Sequence, residues 1–321
     1  MARPIAHPQT GGAPTTAALA LPAATPLRVY LTLAAGIVCI AFSAIFTRWA
    51  EVPGTVSAFY RVAIAAVALA LPFARSTVRG GARAVRMSPS SGRPSWGVWA
   101  LAAAAGVFFA LDLALWNTSL FLTPAATATL LGNDAPLIVG LGALILFRER
   151  LGAIYWLGLA LALVGMIIIV GPDVLSHTQL GAGDALALAA GASYGCYLLA
   201  TQRIRAHLDT LSSLWVASAA GAVLLLLFTL VRHQALWGFS ARTYVMLLAL
   251  GLLIQVGGWL AINYALGHLP AAVVSVTLLA QPVLTAIFAV PLLGEALAPA
   301  QIVGGCVALA GIYLVNRRGA S

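Results

Sequence analysis

Long uninterrupted apolar segments constrain the fold of this chain more than any other feature. There are ten of them, at about 28–49, 55–74, 96–121, 124–147, 153–171, 182–202, 211–231, 242–266, 270–293 and 299–316. A helix needs ~20 apolar residues to cross the hydrocarbon core of a bilayer. Ten such segments fill most of the 321 residues and leave no room for a large soluble domain. We therefore predict an all-α integral membrane protein with ten transmembrane helices.

Composition excludes the main alternative classes. Only 8% of the residues are charged, against roughly 25% in soluble domains. The apolar runs also lack the short alternating pattern of an outer-membrane β-barrel. Cys39, Cys196 and Cys306 all lie inside apolar runs, which is typical of reduced core thiols and not of a disulfide framework. Residues 1–26 are expected to form a disordered cytoplasmic tail, and residues 319–321 a short C-terminal tail.

The arginine distribution predicts orientation. All 17 basic residues are arginine, and with ten spans the termini and the loops on their side carry thirteen of them. The loops of the opposite side carry three, Arg48, Arg232 and Arg242. Because positive residues stay cytoplasmic, we expect both termini in the cytoplasm and a multi-pass protein of the bacterial inner (plasma) membrane. The expected partners are a small-molecule substrate and the lipid bilayer, with no nucleic acid; monomer and homodimer both remain open.

The second half of the chain repeats the first. A displacement of 146 positions places the following pairs on one another: Asn117 and Asn263, Pro124 and Pro270, Pro136 and Pro282, Glu149 and Glu295, Gly158 and Gly304, Ala162 and Ala308, Gly165 and Gly311. We predict two five-helix repeats, at 27–171 and 172–318. Because five is odd, the second repeat must be inverted in the membrane, as in many secondary transporters. A duplicated scaffold or channel is the alternative interpretation.

Several repeated residues have a direct physical meaning. Pro136 and Pro282 lie mid-segment and deprive the carbonyls of Gly132 and Leu278 of their helical partners, so both helices should kink. The kinks are hinge candidates, although a neighbouring hydroxyl could also satisfy the freed backbone. The Gly-x-x-x-Ala pairs at Gly158 and Gly304 permit close helix approach, within or between monomers. Glu149 and Glu295, at helix ends, are expected to be solvated or capping.

Three ionisable residues, Arg61, Asp112 and Asp134, stand out because they lie well inside apolar segments. Each costs ~2.5–3.5 kcal/mol at mid-helix on insertion scales, which makes them functional candidates. The alternative is an ion-paired cluster that only holds the bundle together. Two carboxylates without a full counter-charge would also permit proton coupling, which is a hypothesis.

Polar and aromatic residues complete the candidate site. Gln255, Trp259 and Asn263 recur at intervals of four, as do Phe108, Asp112 and Trp116, a mixture that suits a ligand with an apolar part and a polar handle. The predicted substrate-binding residues are Ser43, Tyr60, Asp112, Trp116, Asn117, Asn133, Asp134, Tyr194, Gln255, Trp259, Asn263 and Gln281. No catalytic residue, metal site or cofactor is predicted, since no metal-ligand cluster or phosphate-binding glycine loop is visible.

The ordered set of motifs resembles the EamA-type drug/metabolite transporter (DMT) superfamily. The matching features are Phe59-Tyr60-Arg61, the Pro-Ala openings at Pro124 and Pro270, the mid-helix prolines, and the helix ends Arg148-Glu149-Arg150 and Gly294-Glu295. The resemblance implies a ten-helix basket around a central cavity, similar to the aromatic amino-acid exporters. The four-helix multidrug relatives carry a carboxylate in their first helix, where this chain has only Ser43 and Thr47.

These observations together predict a secondary transporter that exports small metabolites, chiefly apolar or aromatic amino acids, by alternating access. The alternatives are an exporter of another metabolite or drug and a channel-like facilitator. A membrane enzyme is less favoured, because the five histidines are scattered and none lies mid-segment.

Overall fold

A computed structural model describes residues 27–87, 95–119, 122–123, 125–170, 181–294 and 297–317. All regular structure within these ranges is helical. The first half contains α1 (Leu27–Ala41), α2 (Ser43–Ala50), α3 (Gly54–Met87), α4 (Trp96–Ser119), α5 (Ala125–Gly132), α6 (Ala135–Leu146) and α7 (Ala153–Val170). The second contains α8 (Ala182–Arg205), α9 (Thr210–Val231), α10 (Ala241–Ala249), a π-helix (Leu250–Gly258), α11 (Trp259–Leu266), α12 (Ala271–Leu278), α13 (Ala280–Leu293) and α14 (Pro299–Arg317). The predicted tails, Pro124 and Glu295 lie outside the described residues.

The helices have the length and composition of membrane spans. Among the described residues, eight are long and apolar enough to cross a bilayer: Leu27–Ala50, Gly54–Ser76, Trp96–Ser119, Thr127–Leu146, Thr210–Val231, Ala241–Leu266, Ala271–Leu293 and Pro299–Arg317. A shorter apolar helix covers Ala153–Ile169. Apolar side chains project outward from these helices, for example Val67, which is 78% exposed. An exposed valine within a membrane span suits contact with lipid. The chain is therefore an all-helical, multi-pass membrane protein.

Both spans with a mid-segment proline are interrupted. In the fourth segment, Asn133 and Asp134 form a turn between α5 and α6, and Pro136 follows in the first turn of α6. In the ninth segment, Leu279 separates α12 from α13, and Pro282 follows in the first turn of α13. Proline lacks the N–H that would continue the preceding helix. The breaks therefore match the kinks that the sequence predicts.

Two further irregularities are not visible in the sequence pattern. The first segment breaks at Phe42, between α1 and α2, and two side chains of α13 satisfy the carbonyls exposed there. Thr285 Oγ1 donates to the Ala41 carbonyl at 2.8 Å, and Gln281 Nε2 donates to the Ile40 carbonyl at 3.4 Å. The eighth segment contains the π-helix Leu250–Gly258. Such segments often mark functional sites because they shift the side-chain register by a fraction of a turn.

Glycines fix the contact between α7 and α14. A Cβ on Gly165 would come within 2.6 Å of the Gly304 carbonyl oxygen, and a Cβ on Gly311 within 2.5 Å of the Gly158 carbonyl oxygen. Any larger side chain would push the two backbones apart. The close approach that the Gly-x-x-x-Ala pairs predict is thus realised inside one chain.

The remaining helices pack in matched pairs around the centre. α4 packs against α8, and α1 packs against the π-helix and α11. α3 contacts both α9 and the π-helix, while α12 contacts α6. This arrangement brings Arg61 of α3, Asp112 of α4 and Gln255 of the π-helix to the middle of the bundle.

Candidate functional site

Arg61 is the centre of a buried polar cluster. Its Nε donates to Gln255 Oε1 at 2.8 Å, and its Nη1 donates to Ser43 Oγ at 3.1 Å. The guanidinium also lies over the ring of Phe109, with Cζ 5.7 Å from the ring centroid. Arg61 is only 9% exposed and Gln255 only 1%. Three separate elements therefore hold the guanidinium in one orientation.

Two carboxylates face this cluster. Asp112 lies one turn of α4 after Phe109, over whose ring the Arg61 guanidinium lies, and it interacts electrostatically with both Arg61 and Asp134. Asp134 lies in the turn between α5 and α6 and packs on Gly191, where an added Cβ would be 1.8 Å from Asp134 Oδ1. That same Oδ1 is buried without a hydrogen-bond partner. With all three groups ionised, the cluster has one positive and two negative charges.

Four aromatic side chains form a wall beside the charges. Trp259 packs edge-on against Phe109 at 4.9 Å, Tyr197 at 5.2 Å and Tyr194 at 6.0 Å between ring centroids. Tyr194 and Tyr197 are stacked at 6.4 Å. Asn263 Nδ2 donates to the Tyr197 hydroxyl oxygen at 3.0 Å. We name Phe109, Tyr194, Tyr197 and Trp259 the aromatic wall.

The members of the cluster differ in burial. Arg61, Trp259 and Tyr197 are enclosed, whereas Asp112 and Tyr194, which surround the same guanidinium, keep part of their surface accessible. A site with an arginine, a carboxylate and an aromatic wall can bind a small molecule that carries both charges and an apolar group.

Most of the predicted residues come together here. Ser43, Asp112, Asp134, Tyr194, Gln255, Trp259 and Asn263 belong to the cluster or to its immediate contacts. Trp116 packs on Gly132 beside the break in the fourth segment, where an added Cβ would be 3.0 Å from Trp116 Cδ1. Asn133, next to Asp134, donates from Nδ2 to the Thr129 carbonyl at 2.7 Å.

Three predicted residues have contacts elsewhere. The Tyr60 hydroxyl donates to the Leu236 carbonyl, and its ring contacts Phe239 in the loop before α10. Asn117 lies against Gly54 at the start of α3 and donates to the Leu113 carbonyl at 2.6 Å. The Gln281 amide is engaged with the α1 backbone. Their role in substrate binding stays a prediction.

Sequence reasoning missed Phe109, Tyr197 and Gly191. The interval of four selected Phe108 with Asp112, whereas Phe109, three positions before Asp112, contacts Arg61. Tyr197 lies three positions after Tyr194 and is 2% exposed. The available signal was an interval of three, which is equally helical.

Outside this cluster, a further buried carboxylate lies near the start of α7. Gln202 Nε2 donates to Glu149 Oε1 at 3.2 Å, and Gln202 Oε1 accepts from the Ala271 backbone N–H at 2.8 Å. Glu149 Oε2 is buried without a partner. The expectation of a solvated or capping Glu149 is therefore wrong, because the chain turns back after α6, with Arg148 at φ 55°, and Glu149 is 9% exposed. Burial raises the pKa of Glu149 above its ordinary 4.5, and the Gln202 hydrogen bond partly offsets this.

Within the described residues, no group of three or more His, Cys, Asp or Glu side chains is placed to hold a metal ion.

Named proteins resemble this chain over much of its length. A probable terminal-alkyne amino-acid exporter of Streptantibioticus cattleyicolor is 32% identical over 196 residues, which cover 61% of this chain and 65% of that protein. The match thus spans slightly less than two thirds of the exporter. A probable amino-acid metabolite efflux pump of Salmonella typhimurium is 30% identical over 201 residues, which cover 60% of this chain and 67% of that protein.

The fold also recurs in a solved crystal structure. It superposes with a TM-score of 0.70 at 20% identity and covers 92% of this chain and 99% of the other. The EamA-like transporter family matches this sequence twice, at residues 27–171 and 181–317. These two segments contain every helix described above and confirm the resemblance drawn from the motifs. The chain therefore belongs to the EamA-like transporter family.

Proposed function

We propose that this protein is a secondary transporter that exports apolar or aromatic amino acids across the bacterial plasma membrane by alternating access. The observation that carries the proposal is the aromatic wall standing beside Arg61 and Asp112 at the centre of the bundle. An amino acid with a large apolar side chain has the same division into a charged end and an apolar end. Two relatives named as an amino-acid exporter and an amino-acid metabolite efflux pump support the substrate class.

The proposed topology has ten spans, with both termini in the cytoplasm. It adds α7 and α8 to the eight helices long enough to cross on their own. The two repeats would occupy 27–171 and 172–318, with the second inverted. The arginine asymmetry supports this orientation, and so does the pairing of α4 with α8 and of α1 with α11.

The proposed movement uses the interrupted spans. The breaks before Pro136 and Pro282 leave backbone groups outside the regular helical ladder, so each span can bend there at lower cost than elsewhere. Asp134 sits in the first of these breaks and faces α8 through Gly191. Bending at the break would move a charged residue of the site relative to the second half, as alternating access requires.

The test is counterflow of labelled phenylalanine into proteoliposomes that contain the purified full chain. We expect saturable uptake above protein-free liposomes, with competition by unlabelled tryptophan. The variant Arg242→Gln serves as a control, because Arg242 is exposed in the first turn of α10, and it should transport like the wild type. Absence of phenylalanine and tryptophan counterflow in a folded preparation would overturn the amino-acid assignment. Conductance without saturation would indicate a channel instead.

A further inference from the structure

We infer that Arg61 and Asp112 form a two-point charge site, in which Arg61 binds the α-carboxylate and Asp112 the α-ammonium of a free amino acid. Gln255 and Ser43 are positioning residues that fix the plane of the guanidinium. The inference rests on the proposed function and states which groups of the substrate the transporter recognises.

The first argument is the unused edge of Arg61. A guanidinium has five N–H donors in a rigid fork. Within the described part of the chain, Nε and Nη1 donate to Gln255 and Ser43, whereas Nη2 donates to no residue. A fork held at two of its nitrogens and open at the third is preorganised for a carboxylate oxygen.

The second argument is the open carboxylate of Asp112. Its oxygens accept no hydrogen bond from any described residue, and the side chain keeps accessible surface inside the bundle. It lies one turn of α4 after Phe109, over whose ring the Arg61 guanidinium lies, and it forms no hydrogen bond with Arg61. A cationic ammonium placed beside Asp112 would therefore meet an anion with unused acceptors.

The third argument is charge balance. A zwitterion adds no net charge, so it can bind to Arg61 and Asp112 together without leaving either group unpaired. A substrate that lacks the carboxylate would leave the Arg61 edge without an acceptor in a dehydrated site. A substrate that lacks the ammonium would place an anion against Asp112 and Asp134. Both losses are expensive in a low-dielectric interior.

The experiment compares competitors of phenylalanine counterflow in the wild-type protein. Phenylalaninamide lacks the carboxylate, and 3-phenylpropionate lacks the ammonium, while both keep the aromatic ring. We expect each to compete at least about 100-fold more weakly than phenylalanine, because a site built for a charged group rejects analogues that lack it. If either analogue competes within threefold of phenylalanine, the two-point site is overturned. If phenylalanine itself is not transported, the proposed function fails first.

Two variants test which residues recognise the carboxylate end of the substrate. Arg61→Gln should abolish the preference for phenylalanine over phenylalaninamide, so that the ratio of their inhibition constants falls to near one. Gln255→Ala should raise KM for phenylalanine. It should also lower the same ratio of inhibition constants, but not to one. A purely structural role for Arg61 would lower the amount of folded transporter but leave this ratio unchanged. Because the competition test uses wild-type protein, it stands even where a variant fails to fold.

Discussion

When the two halves are superposed, Asp112 corresponds to Gly258 and Asp134 to Ala280, whereas the mid-segment proline is present in both halves. The structure gives a reason for the first difference. A Cβ on Gly258 would lie 2.8 Å from Cγ2 of Ile40, so α1 fills the place where a second carboxylate would stand. The duplication therefore preserves helix breaks and close contacts, while the charged part of the site belongs to the first half alone.

The second half contributes a different kind of group. Gln255 and Asn263 are neutral amides, each 1% exposed, and they hold Arg61 and Tyr197 through hydrogen bonds. Because Arg61 belongs to the first half and Gln255 to the second, the proposed rocking movement would change the contacts of Arg61. We expect substitutions at matched positions of the scaffold to change stability equally in the two halves. Substitutions in the site are expected to change transport unequally.

Loss of a charge in the first half should have the largest effect. In Asp112→Asn, Arg61 loses its neighbouring carboxylate and the substrate ammonium loses its acceptor. Losing a charged hydrogen-bond acceptor for the ammonium costs ~1.5–3 kcal/mol, so the initial rate of phenylalanine counterflow should fall by at least about 10-fold. The control is Glu51→Gln, which neutralises an exposed carboxylate. Transport by Asp112→Asn within threefold of wild type would show that this charge is dispensable.

Matched substitutions in the contact between α7 and α14 should destabilise the protein equally. Gly165→Val and Gly311→Val each introduce a side chain where backbone atoms lie 2.4 to 2.6 Å from an ideal Cβ. Overpacking of this kind costs ~1–3 kcal/mol, and both variants should lower Tm by about 5 °C in thermal unfolding of the detergent-solubilised protein. The control is Gly97→Val, because the nearest atom to an added Cβ at Gly97 is 3.7 Å away. Unequal losses at Gly165 and Gly311 would contradict the symmetry of the α7–α14 contact.

The buried Glu149 predicts a pH dependence of stability. Its pKa is raised in the folded protein, so the folded state holds this proton more tightly than the unfolded chain does. Stability from this group is greatest below the ordinary pKa of 4.5 and is lost as pH rises toward the raised value. Glu149→Gln cannot lose stability in this way. The Tm of the variant minus that of wild type should therefore increase by roughly 2 °C between pH 4.5 and pH 7.

The control for this measurement is Glu51→Gln, whose carboxylate is exposed. It should keep the pH slope of wild type. If Glu149→Gln also kept that slope, its carboxyl would not be the titrating group. The result bears on the comparison of the halves, because Glu149 joins the first repeat to Gln202 and the Ala271 N–H of the second.

The sequence predicts much of the scaffold because its signals are local or repeated. Proline removes a hydrogen-bond donor wherever it stands, so the breaks near Pro136 and Pro282 follow from residue type alone. Glycines at matched positions likewise predict a close helix contact for α7 and for α14, although not that the two helices contact one another. Arg61 and Asp112 are identifiable because a charge within an apolar run is costly anywhere in it.

Other features depend on tertiary contacts that no local pattern encodes. The π-helix changes the register between Gln255 and Trp259, so regular spacing cannot say which of them faces Arg61. The break at Phe42 depends on hydroxyl and amide groups contributed by α13. The burial of Glu149 depends on where the chain turns after α6. In each case, the deciding partner lies far away in the sequence.

The pair Asn117 and Asn263 gives the smallest and most discriminating test, because the same residue type occupies the same position in both repeats. Asn263 donates to the hydroxyl oxygen of Tyr197 in the aromatic wall, whereas Asn117 donates to the carbonyl of its own helix and packs on Gly54. Removing one buried hydrogen bond costs about 0.5–1.5 kcal/mol. Asn263→Ala should therefore raise KM for phenylalanine by about threefold to tenfold, because the tyrosine ring loses its fixed position. Asn117→Ala should leave KM within twofold of wild type, since it disturbs only the approach of α4 to α3. Equal changes in KM at both positions would place Asn117 in the binding site as well, and the division between a charged half and a positioning half would then have to be redrawn.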